Sequence, residues 1–121
     1  MKFALITHDD SMVETAKKGF HPSDELIVFA QWQEALAQCE GVDLMFVDLI
    51  ATLDEPHKIA GYEAFANAKL ADPKASTVPL VLISPEPDYD LDFFVGFPDF
   101  VVGNLPRPVT EKLFRRASTW V

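Results

Sequence analysis

Short runs of consecutive apolar residues alternate along this chain with stretches in which apolar residues recur every three or four positions. Phe3 to Thr7, Leu26 to Ala30, Leu44 to Ile50 and Val78 to Ile83 are runs of the first kind, and Phe100 to Val102 is a weaker fifth. Runs without a polar alternate face suit strands covered on both sides by helices. The helical spacing is carried by Val13, Ala16 and Phe20, then by Trp32, Ala35, Leu36 and Cys39, by Tyr62, Phe65, Ala66 and Leu70, and by Leu113, Phe114, Ala117 and Trp120. Each set predicts one buried stripe. The last is entered through Pro108-Val109-Thr110, with Thr110 placed to cap it. Between Pro85 and Pro98 only Leu91, Phe94 and Val95 keep the helical spacing among three prolines, which predicts a degenerate fourth helix of a turn or two.

Strand–helix alternation repeated about five times, with short connections, predicts an α/β fold with a doubly wound, five-stranded parallel sheet and helices on both faces. The length, 121 residues, is that of one domain, taken here as 1–121. In such a sheet ligands collect outside the carboxyl ends of the strands, beside the point where strand order reverses. The strand-end residues are therefore the ones to read for function.

Composition narrows the function classes. With 49% hydrophobic and 24% charged residues the chain is that of a packed globular protein. A net charge of −9 opposes nucleic acid and anionic membrane as partners, and Lys17-Lys18 and Arg115-Arg116 are isolated pairs rather than a patch. Cys39 is the only cysteine, so no disulfide and no thiolate metal site forms within the chain, as suits a reducing cytoplasm. The first apolar run, Phe3 to Ile6, is too short for a signal-peptide core or a membrane span.

The first strand ends in Thr7-His8-Asp9-Asp10, the third in Val47-Asp48, the fourth in Ile83-Ser84, and the last leads to Pro106-Arg107-Pro108. These ends bring carboxylates, a hydroxyl and a guanidinium to one crevice. Converging carboxylates with a backbone carbonyl suit a hard cation such as Mg²⁺, and an aspartate beside that cation is a chemically reasonable phosphoryl acceptor. The same residues have plainer roles: Asp9 and Asp10 as caps of the first helix, His8 as a hydrogen-bonded strand end, Ser84 before Pro85 as a strand terminus, and Trp32, Cys39 and Trp120 as core. For Asp48 a plain role is harder to sustain, since a carboxylate after Leu44-Met45-Phe46-Val47 is costly to bury without a partner.

In order and spacing these elements resemble the receiver domain of two-component response regulators over essentially the whole chain. The resemblance is carried by Phe3 to Val13, by Asp43-Leu44-Met45-Phe46-Val47-Asp48-Leu49, by Gly61-Tyr62-Glu63-Ala64-Phe65, by Ala71-Asp72-Pro73, by Val78-Pro79-Leu80-Val81-Leu82-Ile83-Ser84 and by Arg107-Pro108. It implies the CheY-like, flavodoxin-like strand order 2-1-3-4-5. It also implies that Asp48 accepts a phosphoryl group, that Asp9, Asp48 and the backbone carbonyl of Ile50 hold Mg²⁺ with His8 or Asp10 in a second shell, and that Ser84 and Arg107 engage the phosphoryl oxygens.

The departures from the family pattern are as definite. His8 stands at the first position of the acidic pair, which removes a negative charge from the cation site. Arg107 replaces the family's lysine with a planar fork. The loop after Asp48 is about five residues longer, through Thr52 to Lys58, and the family's switch aromatic on the last strand corresponds to Asn104 or, with a gap, to Phe100. Gly103-Asn104 predicts a turn or bulge in that strand.

Three functions remain open at this point. The first is a stand-alone, non-enzymatic receiver of a phosphorelay, monomeric or weakly dimeric, phosphorylated by a histidine kinase or phosphotransfer protein and signalling to a downstream protein. The second is a pseudo-receiver that docks partners independently of phosphorylation. The third, an FMN-binding flavodoxin-like protein, is disfavoured because His8-Asp9-Asp10-Ser11 presents carboxylates where a phosphate cradle needs donors.

Overall fold

The apolar runs become strands and the spaced stripes become helices. The structure, a computed structural model, describes residues 1–86, 88–92 and 101–121. Five strands, β1 (Lys2–Ile6), β2 (Glu25–Phe29), β3 (Leu44–Asp48), β4 (Leu80–Ile83) and β5 (Val101–Leu105), form one parallel sheet in the order β2-β1-β3-β4-β5. The described helices are α1 (Asp10–Gly19), α2 (Trp32–Ala37), α3 (Ala60–Ala71) and α4 (Glu111–Ala117), with 3₁₀ turns at Leu49–Thr52 and Ala75–Thr77. Of the segment predicted as a degenerate fourth helix, Phe94 and Val95 lie outside the described residues, as does Phe100.

The period-2 geometry of the strands divides the core into two layers. Ala4, Ile6, Met45, Val47, Leu80 and Leu82 face one cluster with Ala35 and Leu36 of α2 and Tyr62 and Phe65 of α3. Phe3, Leu5, Leu44, Phe46, Val81 and Ile83 face the other, with Met12 and Ala16 of α1 and Phe114 and Ala117 of α4. In the second layer Phe3, Phe20, Phe46 and Phe114 interlock at ring separations from 4.7 to 6.1 Å, mostly tilted or edge-on. Gly19 lets α1 and α4 meet there, because a Cβ at that position would lie 2.7 Å from the Glu111 carbonyl oxygen.

Three predicted details change. Leu70 is 57% exposed while Lys69 is wholly buried, so the α3 stripe continues through the lysine. The lysine is accommodated because its Nζ donates to the Ala75 and Val78 carbonyls at 2.7 and 2.6 Å, tying α3 to the turn that follows it. Gly103-Asn104 does not turn: β5 runs on to Leu105, and the irregularity falls one residue earlier, where Leu80 pairs Val101 but Val81 pairs Gly103 and Val102 is the extra residue. Trp120 lies beyond α4 and is 37% exposed; its ring covers Gly103, filling the place of a Cβ.

Candidate functional site

β1 and β3 are neighbours, and their register, Ile6 beside Val47, brings the next residues, Thr7 and Asp48, side by side at the carboxyl edge of the sheet. Asp48 is 1% exposed and Thr7 4%. The Thr7 hydroxyl donates to Asp48 Oδ2 at 2.9 Å and accepts from the Asp9 backbone amide at 3.1 Å. One hydroxyl thus joins the Asp48 carboxylate to the backbone at Asp9. Thr7 stands among the strand-end residues in the sequence with no role of its own, and the register of the two strands is the signal that finds its partner.

Arg107 follows β5 and reaches back over the sheet edge. Its two terminal nitrogens donate to Asp48 Oδ1 at 2.6 Å and Oδ2 at 2.7 Å, a fork-on-carboxylate pair of the strong, directional kind. The Arg107 side chain is 10% exposed, so the pair is largely removed from water. Hydrogen bonding to Asp48 raises the Arg107 pKa above its ordinary value against the opposing effect of burial. The same guanidinium lies 3.9 Å from Asp9 Oδ2 and touches the Ser84 carbonyl at 3.4 Å.

Asp9 has the capping role: its Oδ1 accepts from the Ser11 hydroxyl at 2.8 Å, the Ser11 amide at 3.0 Å and the Met12 amide at 3.3 Å at the start of α1. The Ser11 hydroxyl is the largest cause holding its carboxyl below the usual pKa; the two amides and the Arg107 charge add to it, and burial opposes. His8 is exposed and turned to β2, donating from Nε2 to the Ala30 carbonyl at 2.7 Å. Asp10 is an exposed first-turn residue of α1. The Ser84 hydroxyl accepts from Asn104 Nδ2 at 2.5 Å, and the same amide nitrogen donates to the Leu82 carbonyl at 3.2 Å. Asn104 is thereby a polar tie between β4 and β5.

A pocket of about 330 Å³ opens beside this constellation, lined by His8, Asp9, Asp48, Ile50, Ala51, Glu86 and Arg107. A second, of about 410 Å³, shares Asp9, Glu86 and Arg107 with it and extends over Met12, Thr15 and Val109. The structure therefore gathers Asp9, Asp48, Ile50 and Arg107 around one pocket and leaves Asp10 and the Ser84 hydroxyl out of its lining. In this arrangement the carboxylates expected to hold Mg²⁺ are engaged by protein groups. Both Asp48 oxygens are held by the fork, one Asp9 oxygen caps α1, and the guanidinium lies between the two carboxylates. Among the described residues no group of three His, Cys, Asp or Glu side chains is placed to hold a metal ion.

No family model matches the chain, and no curated protein does. Solved structures match it closely in shape. The chemotaxis response regulator CheY4 of Vibrio cholerae superposes with a TM-score of 0.69 at 16% identity, over 98% of this chain and 95% of that one. A signal receiver domain of two-component signal transduction (histidine kinase) from Clostridium thermocellum superposes with a TM-score of 0.67 at 11% identity, over 97% and 93%. The chain has the CheY-like receiver-domain fold, and the strand order implied by the resemblance is the one observed.

Proposed function

We propose that this protein is a receiver-type signalling module that works by docking to a partner of two-component signalling, a histidine kinase, a phosphotransfer protein or a downstream target, without requiring phosphorylation of Asp48. The observation that carries this reading is the Arg107 fork on Asp48. Together with the Thr7 hydroxyl it leaves Asp48 with three hydrogen bonds inside a nearly dry site. A carboxylate so paired is a poor nucleophile, because attack on phosphorus requires it to give up charge-assisted hydrogen bonds at a position where replacement by water is restricted. His8 in place of an acidic residue, turned toward Ala30, removes one of the charges that would draw a divalent cation in. The net charge of −9 is consistent with a cytoplasmic module that avoids nucleic acid, and no helix among the described residues is long and apolar enough to cross a membrane.

Phosphoryl acceptance on Asp48 is the second reading, favoured by the pocket that Asp9, Asp48 and Ile50 line together. In that reading Arg107 leaves Asp48, and Asp9, Asp48 and the Ile50 carbonyl hold Mg²⁺ while Ser84 and Arg107 meet the phosphoryl oxygens. One experiment separates the two. Wild-type protein and Asp48→Asn are incubated with acetyl phosphate over a range of Mg²⁺ concentrations and weighed intact. The docking reading expects no acid-labile gain in either protein. A gain in the wild type that Asp48→Asn abolishes overturns it in favour of phosphorylation.

A further inference from the structure

The two walls of the Asp48 pocket continue into two loops that are fastened to each other. One wall, Ile50-Ala51, leads into the long loop 53–59, and the other, at Glu86, leads into 88–92. His57 holds the first loop in the left-handed region, φ 65°, a conformation that a non-glycine residue keeps only when its surroundings enforce it. Those surroundings are the second loop. The His57 ring stacks on Tyr89 with centroids 4.4 Å apart and planes 23° from parallel. The His57 amide donates to Tyr89 Oη at 3.0 Å, and its ring Nδ1 donates to the Asp90 carbonyl at 2.5 Å. The Asp92 amide donates to the His57 carbonyl at 2.8 Å, and the Ile59 amide donates to Asp92 Oδ1 at 2.7 Å.

We propose that the His57–Tyr89 stack is a latch that fastens the two rims of the Asp48 pocket into a single strap, so that the pocket mouth widens when the whole strap releases and not by separate motion of either loop. The inference adds regulation to the site of the docking reading. Its physical basis is the balance of forces between the loops. Asp54 and Glu55 on one side and Asp88, Asp90 and Asp92 on the other repel one another, with only Lys58 of opposite charge within the strap. The loops meet in spite of this through the ring stack and four hydrogen bonds, three made by His57 with Tyr89, Asp90 and Asp92 and one between Ile59 and Asp92. Removing the Tyr89 ring takes away the stack and one of the four hydrogen bonds, and the repulsion then works against the three that remain.

Amide hydrogen exchange on the full chain tests this in wild type, Tyr89→Ala and Tyr89→Phe. Tyr89→Ala is expected to speed exchange at His57, Ile59 and Asp92 together by about tenfold, the combined worth of one aromatic pair and one hydrogen bond, while the β1, β3 and β4 amides stay unchanged. Tyr89→Phe, which keeps the ring and loses only the hydroxyl, is expected to affect His57 chiefly. Raising the salt from low concentration to 1 M is expected to slow exchange at all three amides in the wild type, because it screens the repulsion. Unchanged exchange at Ile59 and Asp92 in Tyr89→Ala overturns the latch, and so does equal acceleration in the core strands, which would make Tyr89 a packing residue of the fold. Exchange is read without a partner or a phosphodonor, so failure of the latch leaves the docking reading standing, and a mass gain in the phosphodonor experiment leaves the latch standing.

Discussion

Among the described residues two chargeable side chains, Lys69 and Asp48, are wholly or almost wholly buried, and they are satisfied in opposite ways. Lys69 is satisfied locally, by carbonyls six and nine residues on, within the turn that follows its own helix. Asp48 is satisfied at long range, by a hydroxyl 41 residues before it and a guanidinium 59 residues after it. The lysine closes a helix end. The aspartate assembles the ends of β1 and β3 and the segment after β5 into one site, and it cannot be satisfied until those elements have met. A buried charge whose partners lie far apart in sequence depends on the arrangement of the whole sheet, whereas the lysine staples one helix end to the turn after it.

The comparison is broken most forcefully by removing the long-range partner. Arg107→Met leaves Asp48 buried beside an apolar chain, and it is expected to cost about 3–5 kcal/mol of stability by urea unfolding. A cost under about 1 kcal/mol would mean that Asp48 reaches water and that the pair is a surface one.

The lysine gives the next largest effect, visible in pH. Burial lowers its pKa from 10.5 to about 8. Between those values the unfolded chain holds the proton and the folded chain has released it, so the unfolded state binds more protons and stability rises with pH. The rise is about 3 kcal/mol from pH 8 to 10.5 if the whole shift is realised. Tyr62 works the other way at higher pH: burial pushes its pKa up to about 12, so the folded chain keeps a proton that the unfolded chain loses above pH 10, and stability falls there. The expected profile climbs from pH 8 to about 10 and then turns over, and Lys69→Met is expected to flatten the climb.

The smallest test sharpens the picture of the site itself. Thr7→Val keeps the shape and removes the hydroxyl that joins Asp48 to the Asp9 amide, at an expected cost of about 1.5–3 kcal/mol, the range for hydrogen bonds to charged groups. Thr7→Ser is expected to recover most of it. Equal stability of the valine variant and the wild type would show that Arg107 alone holds Asp48.

Much of this was legible in the residues. The apolar runs were strands, and β1, β3 and β4 are buried on both faces as such runs predict, whereas β2 and β5, at the edges of the sheet, are only partly covered. Thr110 caps α4 as its place after Pro108 predicted. Asp9, Asp48 and Arg107 stand at strand ends, where the fold class directs attention, and they meet at one pocket. The misses share a cause. Leu70 and Lys69 are adjacent on α3, and hydrophobicity alone chose the leucine, since nothing local announces the two carbonyls waiting for an amine. Thr7 was passed over because its partner is 41 residues away, and the meeting of His57 and Tyr89 across 32 residues has no sequence signature at all.

The amino-acid order alone determined the succession of strands and helices, the two-sided burial of the sheet and the edge at which polar groups collect, because these follow from periodicity and from the geometry of the backbone. Only the tertiary structure decided what those polar groups do to one another: that Arg107 grips Asp48, that Thr7 joins the Asp48 carboxylate to the Asp9 amide, and that the rims of the pocket are fastened by a histidine and a tyrosine. Hydrogen bonds and ion pairs depend on ångström distances between residues far apart in the chain, and such distances exist only once the sheet has set its register.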